Sequence, residues 1–157
     1  MDMSDKLRGF LDQHHVRYSV IPHGIAYTAR EIAARAHVPG REFAKTVMVN
    51  GDGRHYMVVT TSDRQVHLDR FRTALGVRHA RFEKENEFRS LFPECEAGAM
   101  PPFGPLYGVE VVVDDAIFDD DEIAFNAGTH RTLVRMAVAD FLDLVKPKRV
   151  AVTDPVH

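Results

Sequence analysis

The sequence predicts an α+β fold, a mixed and mostly antiparallel β-sheet surrounded by helices. Three observations predict it. Segments with apolar residues at helical spacing alternate with segments rich in β-branched residues. Strand-like runs flank a tight-turn sequence, so part of the sheet is built from hairpins. Strands outnumber long helices, which separates this pattern from a regular α/β alternation.

The elements follow in order. A first helix follows Ser4 and carries Leu7, Phe10 and Leu11 on one face. Arg17–Ile21 reads as a short strand ending at Pro22. Thr28-Ala29-Arg30-Glu31 has capping-box spacing, and Ile32, Ala33 and Ala36 give the helix behind it an apolar side that Pro39-Gly40 stops. Thr46–Val49 and Tyr56–Thr60 are strands around Asn50-Gly51-Asp52-Gly53, residues that tolerate hairpin geometry. Leu68, Phe71 and Leu75, closed by Gly76, make a short helix. Arg78–Phe82 is a strand, and Glu85–Phe92 a helix ending at Pro93. Val109–Val113 and Glu122–Phe125 are strands around an acidic turn, Thr132–Met136 another strand, and Ala137–Val145 a last amphipathic helix. Residues 1–147 form one domain, and 148–157 read as a flexible tail.

A chain of 157 residues with 45% hydrophobic and 27% charged residues has the composition of a folded globular domain. No apolar run approaches the ~20 residues that span a bilayer, and the first residues lack a secretory pattern. The single cysteine, Cys95, excludes an internal disulfide and fits a reducing, cytoplasmic setting. The net charge of −3 is not that of a typical nucleic-acid binder. Its distribution matters more: Arg64, Arg70, Arg72, Arg78, Arg81 and Lys84 are close in sequence, either a locally positive face or ordinary solvated surface.

Three places suggest chemistry. Lys45 begins an otherwise apolar strand, Phe43–Val49, where an ammonium needs water or an anion. It is either an edge-strand lysine that discourages aggregation or an anion ligand. The loop Glu96–Pro105 holds three prolines and two glycines, Gly98 and Gly104. It is either a tight turn or a rigid frame whose backbone N–H groups polarise a carbonyl. Phe125-Asn126-Ala127-Gly128-Thr129-His130 runs from a strand into polar groups at a sheet edge, where the His130 ring can donate or accept a hydrogen bond. Metal ligation is disfavoured: His14 and His15 are adjacent, there is no HxxxH, and Cys95 stands alone. Cys95 lies between Glu94 and Glu96, whose charges weaken a thiolate nucleophile. No metal or cofactor is expected.

Taken in series, His23–Ala33 (HGIAYTAREIA), Phe43–Val49 (FAKTVMV), Gly98–Gly104 (GAMPPFG) and Phe125–Arg131 (FNAGTHR) resemble the YbaK / prolyl-tRNA synthetase-associated editing family. The resemblance implies hydrolysis of the ester joining an amino acid to the tRNA 3′ end, with Lys45 on the terminal adenosine or its phosphate. Gly98 and Pro102 match the family's G-x-x-x-P motif, whose backbone binds the aminoacyl carbonyl, and His130 matches a histidine found after that sheet edge. By the same resemblance His23, Tyr27, Thr28, Ala99, Met100, Asn126 and Gly128 line the substrate. The implied partner is the acceptor end of tRNA, a tRNA for proline, with prolyl-tRNA synthetase as an associated protein. A proline pocket discriminates weakly against a smaller amino acid, since a missing methylene is worth only about 1–3 kcal/mol. Met100 narrowing the site favours alanine as the residue removed. A tRNA-binding module without turnover and a hydrolase of another small ester are the alternatives.

Overall fold

The computed structural model describes residues 3–22 and 38–156. The expected capping box at Thr28 and the helix behind it lie outside the described residues, as do His23 and Tyr27.

Helix α1 (Asp5–Gln13) starts where Ser4 Oγ accepts the Leu7 N–H, and it buries Leu7 and Leu11 completely. Strand β1 (Tyr18–Pro22) follows. Strands β2 (Ala44–Gly51) and β3 (Arg54–Thr61) form the expected hairpin, pairing from Ala44↔Thr61 to Gly51↔Arg54. The connecting pair, Asp52 and Gly53, both take positive φ (50° and 86°), so the turn has the twist that suits a two-residue hairpin. After β4 (Arg64–Val66) come α2 (Leu68–Leu75), β5 (Ala80–Phe82) and α3 (Glu85–Phe88), the last continuing as a 3₁₀ turn over Arg89–Leu91. Strands β6 (Glu110–Asp114), β7 (Glu122–Asn126) and β8 (Thr132–Ala137) lead into α4 (Val138–Val145), then β9 (Lys148–Val150) and β10 (Thr153–Pro155).

The strands make a five-stranded sheet in the order β5-β2-β3-β6-β9, a three-stranded sheet β1-β8-β7 and a two-stranded ribbon β10-β4. Pairing is antiparallel except at β3–β6 and β6–β9, so the sheet system is mixed and mostly antiparallel, as expected. Alternation along the hairpin decides where the core lies. Ala44, Met48, Met57 and Val59 face a core shared with α1, α4 and the inner face of the three-stranded sheet (Ile123, Phe125, Val134, Met136). Val49, Tyr56, Val58 and Val112 face the other way, onto Phe71 of α2 and onto Val150 and Val152. Val38, Phe43, Ala124 and Leu133 form a small third cluster, and a parallel bridge from Phe43 to Ala124 joins the two larger sheets there.

The C-terminal segment differs from the flexible tail that the sequence suggested. Lys148–Val150 pairs with β6 and Thr153–Pro155 with β4, while Val152 is fully buried. The reason is tertiary. Asp114, 2% exposed, accepts hydrogen bonds from the Val152 N–H (3.0 Å), the Thr153 hydroxyl (2.8 Å), the Thr60 hydroxyl (3.2 Å) and the Ala116 N–H (3.1 Å). Arg64 stands 3.8 Å from the same carboxylate and donates to Thr153. Replacing Asp114 by alanine strands these donors in a dry interior, and lost hydrogen bonds to a charged group cost about 1.5–3 kcal/mol each before relaxation. Asp114→Ala is therefore expected to lower unfolding stability by about 3 kcal/mol or more in urea titration, and to abolish hydrogen-exchange protection at Val152 first.

Candidate functional site

The Gly98 loop and the turn after β7 are held against each other. The Glu96 N–H donates to Gly128 O (2.8 Å), and the Gly128 N–H donates to Ala99 O (2.9 Å). One oxygen of the Glu96 carboxylate accepts the His130 backbone N–H at 2.7 Å. The His130 ring completes the set, with Nε2 2.6 Å from Ala97 O. A carbonyl only accepts, so Nε2 carries the hydrogen of this bond. His130 is 7% exposed, and its ring packs on Gly98. The structure thus brings Gly98, Ala99, Gly128 and His130 together, with His130 supporting the loop from below through Nε2.

Local chemistry explains the shape. Gly98 sits at φ +81° and Gly128 at φ +100°, in the region that side chains with a Cβ rarely adopt. A Cβ on Gly128 would also come within 2.9 Å of Ser4 Cβ, because the start of α1 lies directly on this turn and the Ser4 N–H donates to Ala127 O (2.7 Å). Pro101, Pro102 and Phe103 are buried and anchor the far side of the loop, with Phe103 stacked edge-on against Phe141. Gly98 itself is exposed, and among the described residues its N–H donates to nothing. The result is a backbone donor without an acceptor among the described residues, at an exposed position of a loop fixed from both sides.

The remaining predicted residues fall around this centre unevenly. Met100 is 4% exposed and belongs to the main core, so its side chain does not narrow an open pocket in this state; its carbonyl accepts from Thr46 Oγ1 at 3.3 Å. Pro102 is likewise buried. Asn126 closes β7, and its Oδ1 is a buried acceptor with no partner among the described residues. Lys45 pairs with Thr60 across the hairpin, at a point where β5, which covers only Val49–Gly51, leaves the other side of β2 open. Its neighbour Thr46 faces the Gly98 loop, so alternation turns the Lys45 side chain to the other face of β2. Half-buried and without a hydrogen bond or ion pair among the described residues, Lys45 has its pKa lowered by burial, with the Asp63 charge opposing. Asp120, near Glu42 and Asp63, has its carboxyl pushed up to about 6 by burial first and then by Glu42.

The basic run seen in the sequence is mostly spent inside the molecule. Arg64 serves Asp114 and Thr153, Arg70 pairs with Asp154 (2.6 Å), Arg72 with Asp69 (2.7 Å), and Arg81 takes both oxygens of Glu87 (2.8 and 2.6 Å). Arg78 and Lys84 remain outside these pairs. The hollow of about 630 Å³ lined by Arg17, Tyr18, Glu122 and Arg135 lies at the opposite end of the three-stranded sheet from Asn126 and His130. No three His, Cys, Asp or Glu side chains converge as metal ligands among the described residues. No helix among them is long and apolar enough to cross a membrane.

Cys95 abuts the site, its Sγ 3.5 Å from the Tyr107 hydroxyl, which donates to Glu94 (2.5 Å). Burial pushes the thiol up to about 11, with Glu94 adding to the effect and the Tyr107 hydrogen bond opposing it. Of the two flanking glutamates, Glu94 acts on the thiol, while the Glu96 carboxylate is turned to the His130 N–H. Glu96 is the site residue that the sequence did not single out, since an exposed glutamate in an acidic stretch carries no periodic or motif signal of its own.

The model of the family described as "Aminoacyl-tRNA editing domain" matches residues 23–144. The multifunctional Ser/Thr-tRNA deacylase ProXp-y of Escherichia coli is 29% identical over 150 residues, covering 92% of this chain and 89% of that protein. The prolyl-tRNA editing protein ProX of Acetoanaerobium sticklandii is 24% identical over 153 residues, covering 93% and 92%. Among solved structures, one described as hypothetical protein APE2540 superposes with a TM-score of 0.85 at 19% identity, covering 96% of this chain and all of that one. Another, described as a candidate trans-editing enzyme for prolyl tRNA synthetase, superposes with a TM-score of 0.79 at 20% identity, covering 95% of each chain. At those identities the superpositions speak for the fold.

With its thiol at about 11, Cys95 is not a nucleophile near neutrality. Cys95→Ala is expected to keep hydrolytic activity within about twofold, and alkylation of the native thiol followed against pH should rise only well above pH 9. An alkylation midpoint near the free-thiol value of about 8.5 would contradict the burial described here.

Proposed function

We propose, from the premise that this chain belongs to the aminoacyl-tRNA editing domain family, that it clears a mischarged small amino acid, alanine first, from a tRNA for proline. The activity class is aminoacyl-tRNA deacylation, a hydrolysis of the ester at the tRNA 3′ end. The observation that carries the reading is the N–H of the exposed Gly98, which donates to nothing among the described residues, on a loop fixed by Glu96, Ala97, Ala99 and Gly128.

An aminoacyl ester is already activated, so a site of this kind needs orientation and a donor for the developing oxyanion more than it needs a nucleophile. On this reading the Gly98 N–H donates to the ester carbonyl oxygen. Water, positioned with help from the neighbouring ribose hydroxyl of the substrate, adds to the carbonyl carbon. The bond from that carbon to the ribose oxygen then breaks, giving free amino acid and a tRNA 3′ hydroxyl. Lys45, half-buried and unpaired among the described residues, leaves β2 on the face opposite the Gly98 loop, so on this reading it holds an anion set back from the ester, such as a phosphate of the tRNA end. Since Met100 is packed in the core, its side chain does not set the preference for a small residue. A second reading, removal of serine or threonine, is favoured by the likeness to the Escherichia coli deacylase.

A deacylation panel tests the proposal. Proline tRNA carrying alanine, serine, threonine, cysteine or proline would be assayed beside alanine tRNA carrying alanine. Rapid loss of alanine from proline tRNA alone is the expected outcome; loss of serine or threonine instead would select the second reading. Lys45→Ala is expected to lower kcat/KM roughly 10- to 100-fold, mostly through KM, as for a lost charge-assisted hydrogen bond. Nearly full deacylation by that variant would remove the anchoring role.

A further inference from the structure

We propose that Glu96 is a positioning residue for the deacylation, a carboxylate that acts on catalysis by holding the His130 turn against the Gly98 loop. The inference rests on the deacylase reading above and deepens it. Glu96 supplies three hydrogen bonds at one point. Its N–H donates to Gly128 O at 2.8 Å, its C=O accepts the Ala99 N–H at 3.0 Å, and its carboxylate accepts the His130 N–H at 2.7 Å. The first and third cross between the two segments, and the second closes the turn that presents Gly98.

The carboxylate bond has no evident alternative purpose. Glu96 is exposed and pairs with no cation among the described residues, so it does not serve charge neutralisation. The His130 N–H lies in the turn between β7 and β8, beyond the last ladder pair Asn126↔Leu133, so the sheet ladder does not hold it. A charged acceptor on a backbone N–H gives a short, directional bond. Fixing the His130 backbone fixes where its ring emerges, and the ring in turn supports Ala97 O and covers Gly98. Releasing the carboxylate lets the turn and the loop move apart by a fraction of an ångström. That shifts the Gly98 N–H relative to the oxyanion while leaving the surfaces that bind tRNA unchanged, and misplacement of about 1 Å can cost on the order of 10²-fold in rate.

The test compares Glu96→Ala, Glu96→Gln and Glu96→Asp in single-turnover deacylation of the panel substrate that the wild-type protein hydrolyses. Glutamine keeps an acceptor oxygen at the same reach without the charge; aspartate keeps the charge but falls short. Expected are a fall in kcat of roughly 10²-fold for Glu96→Ala and Glu96→Asp, KM within about threefold, and near wild-type kcat for Glu96→Gln. Amide exchange and the NMR shift of the His130 N–H supply a readout independent of turnover: fast exchange in the alanine variant, protection in the glutamine variant. Wild-type kcat in Glu96→Ala, or a loss in Glu96→Gln equal to that in Glu96→Ala, would overturn the positioning role. Should the alanine variant fail to fold, the glutamine and aspartate pair decides by the same criterion. Absence of turnover by wild-type protein on every substrate would instead overturn the deacylase reading, and the catalytic role of Glu96 with it.

Discussion

The candidate site depends on one constraint, that the irregular segments 96–100 and 127–132 satisfy each other's backbone groups. Apart from Thr132, which pairs with Pro22 where β8 begins, neither segment has a ladder partner among the described residues, and buried or half-buried amides without acceptors are costly. The exchange among Glu96, Gly128, Ala99 and His130 meets that demand and also sets the geometry. It works because Gly128 has no Cβ: the start of α1 approaches this turn so closely that a Cβ would meet Ser4 at 2.9 Å. The fold contributes by delivering β7 and β8 as a rigid hairpin on one side and the core-anchored Pro101–Phe103 on the other. A change in the α1–turn contact would therefore reach the site without touching any residue that faces substrate.

Much of this was legible in the sequence, for physical reasons that can be stated. The hairpin was readable because Asp52-Gly53 names its turn and β-branched runs flank it. Helix α1 was readable because Leu7 and Leu11 share a face just after Ser4. Gly98, Gly128 and His130 stood out through residue type and place, and the structure brings them together. The C-terminal strands were not readable, because KRVAVTDP shows only two buried valines and its order comes from Asp114, a residue 38 positions away from Val152 in the chain. Met100 was readable as a loop residue but not as a core residue, since the direction of a side chain in an irregular loop is set by packing. Glu96 carried no signal, because its importance lies in a partner, the His130 N–H, that only the fold supplies.

Electrostatics were the least legible part. Six basic residues between Arg64 and Lys84 suggested a positive face, yet four of the six are committed to carboxylates, two of them securing the C-terminal strand β10. Sequence proximity of like charges says nothing about where the opposite charges fold back. The molecule that results has a net charge of −3, and the pairing of four of these six residues limits how much affinity this stretch can supply by counterion release. On the proposed reading, the contact with tRNA is correspondingly small and concentrated at the acceptor end, with Lys45 among the cations still free to meet a phosphate.

That economy fits the chemistry proposed for the site. A hydrolase that must create its own nucleophile needs a base, an orienting partner and a dry pocket to tune them, and each is costly to bury. Here the substrate brings an activated ester and a hydroxyl beside it, and Cys95, the one thiol within reach, is held protonated by burial. What the protein must add is a donor in the right place. A backbone N–H on a glycine is the smallest such donor, and its placement can be no better than the rigidity of the loop that carries it. The polar side chains around Gly98 are accordingly spent on holding backbone: Glu96 on the His130 N–H, His130 on Ala97 O, Thr46 on Met100 O. Rate in such a site is limited by geometry, which is why residues that never touch the substrate can weigh as heavily as those that do.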